Sequence, residues 1–187
     1  NLMEFFELEM TKILFSAVGQ SLSEYYTNPT HNWRSKLLAT QLFSAIGARG
    51  FTEAFGVTRV NPLLNLSEFF STNVLTDLQS SNEGLHPLIK LEAIKFVTQY
   101  RNQLEKTDLA RTLPLLLHHL ESKNYIIHTY AALALERILA VKRGGEAFIS
   151  STDLSVIVGK MLVTILALIF NHRTLDKMCE NYFLIKG

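Results

Sequence analysis

Apolar residues recur along most of this chain at mixed steps of three and four, the spacing that lines one face of an α-helix. Between Leu2 and Tyr26 the stripe runs Phe5, Leu8, Ile13, Leu14, Ala17, Val18, Leu22 and Tyr25, with Glu4, Glu7, Lys12 and Glu24 elsewhere. A second stripe, Leu38, Leu42, Ala45 and Ile46, predicts a helix from about Asn32 to Gly47. Leu66 to Gln79 reads as a third, entered through Asn65 as cap. Ile89, Ala93, Phe96, Val97, Tyr100 and Leu104 mark a fourth that starts at Pro87 and runs to Leu104. Further helices are expected over Leu109 to Glu121, opened by Thr107 or Asp108, over Tyr125 to Val141, and from Thr152 towards Asn171.

The joints carry the residues that stop helices. Asn28-Pro29 closes the first helix, because proline drives the preceding residue out of the helical region. Gly47 and Gly50 bracket the end of the second, and Arg143-Gly144-Gly145 the end of the sixth. Pro87 falls in a first turn, where its missing N–H costs nothing.

A phrase recurs on the second helix of each pair. Ser35-Lys36-Leu37-Leu38-Ala39 returns as Ile89-Lys90-Leu91-Glu92-Ala93 and as Ile127-His128-Thr129-Tyr130-Ala131, and Ile185-Lys186 begins it once more. The interval from Ala93 to Ala131 is 38 residues, and that from Ala39 to Ala93 is 54. A period near forty built from helix pairs indicates a HEAT-type α-solenoid, in which each pair needs its neighbours to cover its apolar face. The expected fold is thus all-α, a superhelical section of about three helix pairs plus incomplete ends, with negligible strand. Residues 1–187 read as a single solenoid section and, lacking polar end caps, as a piece of a longer one.

The surplus in the long interval, 54 minus 38, is 16 residues, and it falls on Ala48 to Leu64, which fits neither helix nor strand well. Irregular insertions of this length in helical proteins are usually functional or mobile, and the competing reading is a tolerated surface insertion, since loop closure costs little per added residue. Arg49, Arg59 and Asn61 are the candidate partner contacts, being polar and carried on a non-helical segment. The recurring cation at Lys36, Lys90, His128 and Lys186 reads differently. It could present a row of charges to an acidic partner, but a position repeated in every unit points rather to the stacking itself, as a ladder bonded to turn carbonyls or to an acid on the next repeat.

Composition narrows the function. Hydrophobic residues make up 48% of the chain, enough to exclude disorder. Lys and Arg number 18 against 17 Asp and Glu, without a basic run, which argues against nucleic acid as partner. The most apolar stretch, Leu154 to Phe170, contains Lys160 and is short for a membrane span, so membrane insertion is not expected. Cys179 stands alone, ruling out an internal disulfide. Of the six histidines, His118 and His119 are adjacent and point about 100° apart on a helix, and no two lie four residues apart. No metal site or cofactor is therefore expected. No phosphate loop, nucleophile elbow or carboxylate pair appears, so no catalytic residue is assigned and a binding protein is expected rather than an enzyme. Trp33 opens a second helix at the place held elsewhere by Pro87 and Tyr125, which favours packing over recognition.

Several phrases also resemble one family. They are Tyr25-Tyr26-Thr27-Asn28-Pro29-Thr30-His31-Asn32-Trp33-Arg34-Ser35-Lys36, Gly56-Val57-Thr58-Arg59-Val60-Asn61, Phe69-Phe70 and Lys90-Leu91-Glu92-Ala93-Ile94-Lys95-Phe96. Tyr100-Arg101-Asn102-Gln103-Leu104, His128-Thr129-Tyr130-Ala131-Ala132 and Glu180-Asn181-Tyr182-Phe183-Leu184 complete the set. Together they resemble the export receptors for importin-α in the importin-β superfamily, the cellular apoptosis susceptibility group, over nearly the whole chain. Tyr100 departs from the phenylalanine expected there.

The resemblance implies a middle section of a much longer nuclear export receptor. Its implied partners are importin-α, the GTP form of Ran and proteins of the nuclear pore, and it would shuttle between nucleus and cytoplasm. It also implies that the insertion, Ala48 to Leu64 here, meets partners and takes part in switching between closed and open rings. The competing expectation is a rigid HEAT-repeat scaffold subunit without a switching partner.

Overall fold

A computed structural model of the chain describes residues 6–80, 85–143, 146–147, 154–155, 157–159 and 161–162. The chain divides into two compact units, Asn1–Phe148 and Ile149–Gly187. Described residues of the second unit, 154–155, 157–159 and 161–162, are helical. The rest of the helix expected there, together with His172, Cys179 and the Ile185-Lys186 phrase, lies outside the described residues.

The first unit is built from helix pairs. The first pair is α1 (Glu7–Thr27) and α2 (Trp33–Gly47), followed by strands β1 (Ala48–Thr52) and β2 (Gly56–Val60). Next come α3 (Leu66–Phe69), a π-helical turn (Phe70–Val74) and α4 (Leu75–Gln79), and then α5 (Pro87–Tyr100). The third pair is α6 (Lys106–His119) and α7 (Tyr125–Leu139), followed by the short strands β3 (Lys142–Arg143) and β4 (Glu146–Ala147). Within pairs, α1 packs on α2, α4 on α5 and α6 on α7; between pairs, α2 meets α5, α5 meets α7, and α4 meets α6. Two layers of helices, packed chiefly neighbour on neighbour among the described residues, form the expected HEAT-like solenoid.

Several expectations fail in this frame. The insertion does not lack regular structure: β1 and β2 form an antiparallel hairpin, and β3 and β4 pair as a second, minimal one. Strand is therefore not negligible. Leu109 is also not the start of α6, which begins at Lys106 with Asp108 buried in its first turn. Similarly, α5 stops at Tyr100 rather than Leu104.

An aromatic cluster joins the first two pairs. Phe43 of α2 stacks on Phe69 of α3 with ring centroids 3.7 Å apart, and Phe96 lies 6.2 and 5.8 Å from the two. Tyr100 stacks on Phe96 at 4.6 Å, and its hydroxyl donates to the Ser44 carbonyl at 2.9 Å. A phenylalanine there would leave that carbonyl with only its bond from the Ala48 N–H. Gly47 makes room for the hydroxyl, since a Cβ at that position would stand 2.6 Å from it. In the last pair Leu109, Leu116, Leu135 and Ile138 are fully buried.

The π-helical turn coincides with a cluster of hydroxyl side chains. Ser71, Thr72 and Thr76 turn their hydroxyls back onto the carbonyls of Ser67, Glu68 and Thr72, at 2.7–3.1 Å. Such bonds compete with the regular ladder and loosen it locally. Upstream, Asn65 caps α3, accepting from the Glu68 N–H at 3.1 Å while its amide donates to the Glu68 carboxylate.

The recurring cation behaves as a stacking device at two of its positions. Lys36, 1% exposed, donates to Asn73 on the π turn at 3.0 Å and pairs with Asp77 of α4 at 3.4 Å. Its ammonium also lies 5.5 and 5.8 Å from the rings of Tyr25 and Tyr26. His128 reaches the turn carbonyl of Ser122 at 3.4 Å. Lys90 is half-buried, near enough to His119 for its charge to oppose protonation of that ring, although burial is the larger cause of the lowered His119 pKa. Trp33 packs as expected: its ring stacks on His86 at 3.7 Å, with the Arg34 guanidinium 4.4 Å from it.

Burial raises the Asp77 carboxyl to about 6, against the opposing pull of Lys36. A carboxyl raised on folding favours the native state below its unfolded pKa, and that contribution is lost as pH rises through the folded value. Between pH 7 and pH 4 the wild-type chain should therefore gain stability relative to Asp77→Asn, on the order of 2 kcal/mol. Urea midpoints of both chains at the two pH values measure this; a difference that does not change with pH contradicts it.

Candidate partner interface

The hairpin pairs Ala48 with Val60, Gly50 with Arg59, Phe51 with Val57 and Thr52 with Gly56, with irregularities either side of Gly50. An isolated two-stranded hairpin is marginal in water, so something must hold it. On one side Val57 and Gly56 are buried against α5. Gly56 has φ +74°, and a Cβ there would meet the Gln99 carbonyl at 2.3 Å, so both conformation and space demand glycine.

Three consecutive side chains beyond α5 then fasten the hairpin backbone. Arg101 donates to the carbonyls of Glu53 and Ala54 at 3.1 and 2.6 Å, and to Thr98 at 2.6 Å. Asn102 donates to the Phe55 carbonyl, and Gln103 to those of Val57 and Thr58 at 3.0 and 3.2 Å. Extending α5 to Leu104 would point these side chains in different directions around a helix, which is why the helix gives way to a turn at Arg101. Arg137 of α7 adds a bond to the Glu53 carbonyl at 3.3 Å and lies 3.8 Å from the Glu53 carboxylate.

The three candidate contact residues have separate fates. Arg59 is exposed on β2. Arg49 is half-buried and ion-paired with Glu7 of α1. Asn61 is not exposed to a partner at all: it is 0% exposed, because its amide donates to Thr11 and to the Ile46 carbonyl, both at 3.1 Å. Its side-chain oxygen accepts from the Leu63 N–H at 3.0 Å, and its own N–H donates to Gly47 at 2.8 Å. Asn61 clips the hairpin's return strand to α1 and α2, and is a structural residue in this fold.

Sequence reasoning passed over the most exposed apolar groups of the segment, Phe51 and Phe55, each 62% exposed. It also left Arg101 to Gln103 and Arg137 without a role. A signal was available, since Tyr100-Arg101-Asn102-Gln103-Leu104 carries a run of side-chain donors directly after an apolar stripe. Between the hairpin and the faces of α5 and α7 lies an open groove of about 500 Å³. A smaller cleft of about 170 Å³ lies between α1 and α3, lined in part by Phe15, Leu22 and Phe69. Among the described residues no group of three or more His, Cys, Asp or Glu could hold a metal, and no helix is long and apolar enough to cross a membrane.

Comparison with known proteins places this architecture. The chain is 35% identical to exportin-2 of Bos taurus over 187 residues, covering 100% of this chain and 19% of the relative. Exportin-2 of Homo sapiens and of Danio rerio match over the same span at 34% and 36% identity. A solved structure of the exportin Cse1 in its cargo-free, cytoplasmic state superposes with a TM-score of 0.76 at 30% identity, covering 91% of this chain and 17% of that one. The chain thus spans about a fifth of the length of the relatives it matches. Since the Cse1 family model also matches residues 1–135, well over half of the sequence, the chain belongs to the Cse1 family of exportins.

Proposed function

We propose that the protein containing this section is a nuclear export receptor that carries importin-α out of the nucleus together with Ran-GTP and shuttles between the two compartments. The observation that carries the reading is the end-to-end match to exportin-2, at 34–36% identity, together with a hairpin fastened at defined carbonyls instead of a slack loop. Proteins of the nuclear pore are its further partners in transit. These residues are given a binding role and no catalytic one; hydrolysis of GTP belongs to the GTPase.

The mechanism is one of curvature. Each helix pair touches only its neighbours, so small shifts at several joints sum to a change of arc. A partner that prefers one arc shifts the population towards it, and two partners with the same preference strengthen each other. The hairpin sits at the joint between the first two pairs, clipped to α1 and α2 by Asn61 and to the end of α5 by Arg101 to Gln103. A change of angle at that joint therefore moves the exposed residues on the hairpin, Arg59 among them. The scaffold reading has no observation of its own in its favour.

Coupling free energies of this kind are about 1–3 kcal/mol, or roughly 5- to 150-fold in affinity. Ran-GTP should tighten importin-α binding to the full-length receptor within that range, and importin-α should tighten Ran-GTP binding by the same factor. Calorimetry with each partner alone and in the presence of the other decides it; equal affinities leave the scaffold reading. On the hairpin, Arg59→Glu should weaken the ternary complex with little change in stability. Asn61→Ala should instead destabilise the fold by about 2–3 kcal/mol, because buried donors and acceptors lose their partners. A thermal melt beside a binding isotherm separates the two roles. Arg59→Glu with wild-type affinity would remove it from the contact set.

A further inference from the structure

The groove of about 500 Å³ is bounded by β1 on one side and by α5 and α7 on the other. Its apolar surface comes from Phe51, Tyr130 and Leu133, which are 62%, 37% and 45% exposed. Tyr130, Leu133 and Arg137 follow one another at helical spacing, so one face of α7 forms the wall opposite the hairpin. That face would be expected to close against the hairpin if apolar contact alone decided the packing. The groove is open, and Arg101 and Arg137 hold the hairpin by its carbonyls.

Among the side chains that line the groove itself, cations outnumber acids. Lys95, Arg101 and Arg137 border the groove, and Glu53 is the acid that faces them. Glu92 meets Lys95 at 3.0 Å and Glu136 meets Arg137 Nε at 3.2 Å, both from outside the lining. Arg101 donates to carbonyls. Arg137 Nη2 has the Glu53 carboxylate at 3.8 Å, longer than a hydrogen bond, and the Glu53 side chain is 91% exposed. Glu53 therefore neutralises the arginine weakly and gives up little on leaving it.

We propose that this groove is a docking site for an acidic segment of a protein partner, one that seats a leucine or phenylalanine on Phe51, Tyr130 and Leu133 and sets a neighbouring carboxylate on Arg137. In the free chain Glu53 stands in for the incoming carboxylate and is displaced by it. An apolar anchor in a pocket with a desolvated carboxylate–arginine pair beside it is the arrangement that concentrates binding energy at interfaces. A purely apolar segment would leave the Arg137 site to Glu53, and a purely acidic one would leave the groove wet. The proposal rests on the reading of the hairpin as partner-facing and adds the chemistry of what it receives.

The test uses fluorescence anisotropy of labelled peptides titrated with the full chain. One peptide carries a leucine flanked by glutamates, a second has glutamines for the glutamates, and a third has serine for the leucine. The first should bind at least about tenfold more tightly than either control, and its affinity should fall as salt is raised. Arg137→Glu should abolish the preference for acid. Leu133→Glu, at an exposed position, should abolish binding while leaving the far-UV spectrum and melting temperature unchanged. Glu53→Gln should tighten binding by about threefold. Equal affinity for the three peptides, or retention of the preference in both Arg137→Glu and Leu133→Glu, overturns the site, and an unchanged or weakened Glu53→Gln overturns the stand-in role. Importin-α capture by the full-length receptor with and without Ran-GTP runs in parallel. Intact Ran-dependent capture with no peptide preference removes the groove alone, whereas a peptide preference without Ran-dependent capture removes the transport reading alone.

Discussion

Four consecutive residues at the end of α5 hold both the stack and its insertion. Tyr100 points inward and bonds the last turn of α2 through Ser44, fixing one helix pair against the next. Arg101, Asn102 and Gln103, next in the chain, bond five carbonyls of the hairpin. A net hydrogen bond contributes about 0.5–1.5 kcal/mol and one from a charged donor about 1.5–3 kcal/mol, so this set supplies several kcal/mol to a hairpin with little stability of its own. The price is a helix cut short at Tyr100. Gly56 completes the arrangement, because its bare Cα lets the strand lie on the Gln99 carbonyl.

The joint between the first two pairs also buries a charged pair. Lys36 reaches across it to Asn73 and Asp77, and burial raises the carboxyl while lowering the ammonium. Both shifts run against ionisation, so the pair is weak as a source of stability. Buried ion pairs of this sort are better understood as fixing register. In a solenoid, register between neighbouring pairs is what sets local curvature. The π turn that presents Asn73 lies on the same joint, with its ladder already loosened by the hydroxyls of Ser71, Thr72 and Thr76. Aromatic stacking holds this joint together, while its polar groups select one arrangement of it.

Helix periodicity made the stack legible, because each pair buries one stripe and the phrase around Lys36, Lys90 and His128 recurs at matching places. Helix ends were less so. α5 stops at Tyr100 because its next three side chains are drawn to a segment about 45 residues upstream in sequence, and no local pattern contains that information. The hairpin was missed for a related reason. Ala48 to Val60 has no clean alternation of apolar and polar residues, since its outer face carries Phe51 and Phe55 and its inner face is held by carbonyl bonds as much as by side chains. Asn61 shows the limit of choosing contacts by polarity: an asparagine on an irregular segment can equally be the clip that makes it regular. Arg59 remains on the surface because it follows Thr58 on the exposed run of β2.

The central claim is that the insertion is a fixed, tethered element of the stack, able to transmit a change of angle at its joint. Amide hydrogen exchange across residues 48–60 tests it most directly, in the wild-type chain and in one carrying Arg101→Ala, Asn102→Ala and Gln103→Ala together. The account predicts slow exchange at Val57 to Val60 in the wild type, and loss of that protection in the triple variant while α2 and α5 keep theirs. Exchange in the wild type as fast as in an open loop, or protection unchanged by the triple substitution, would contradict it.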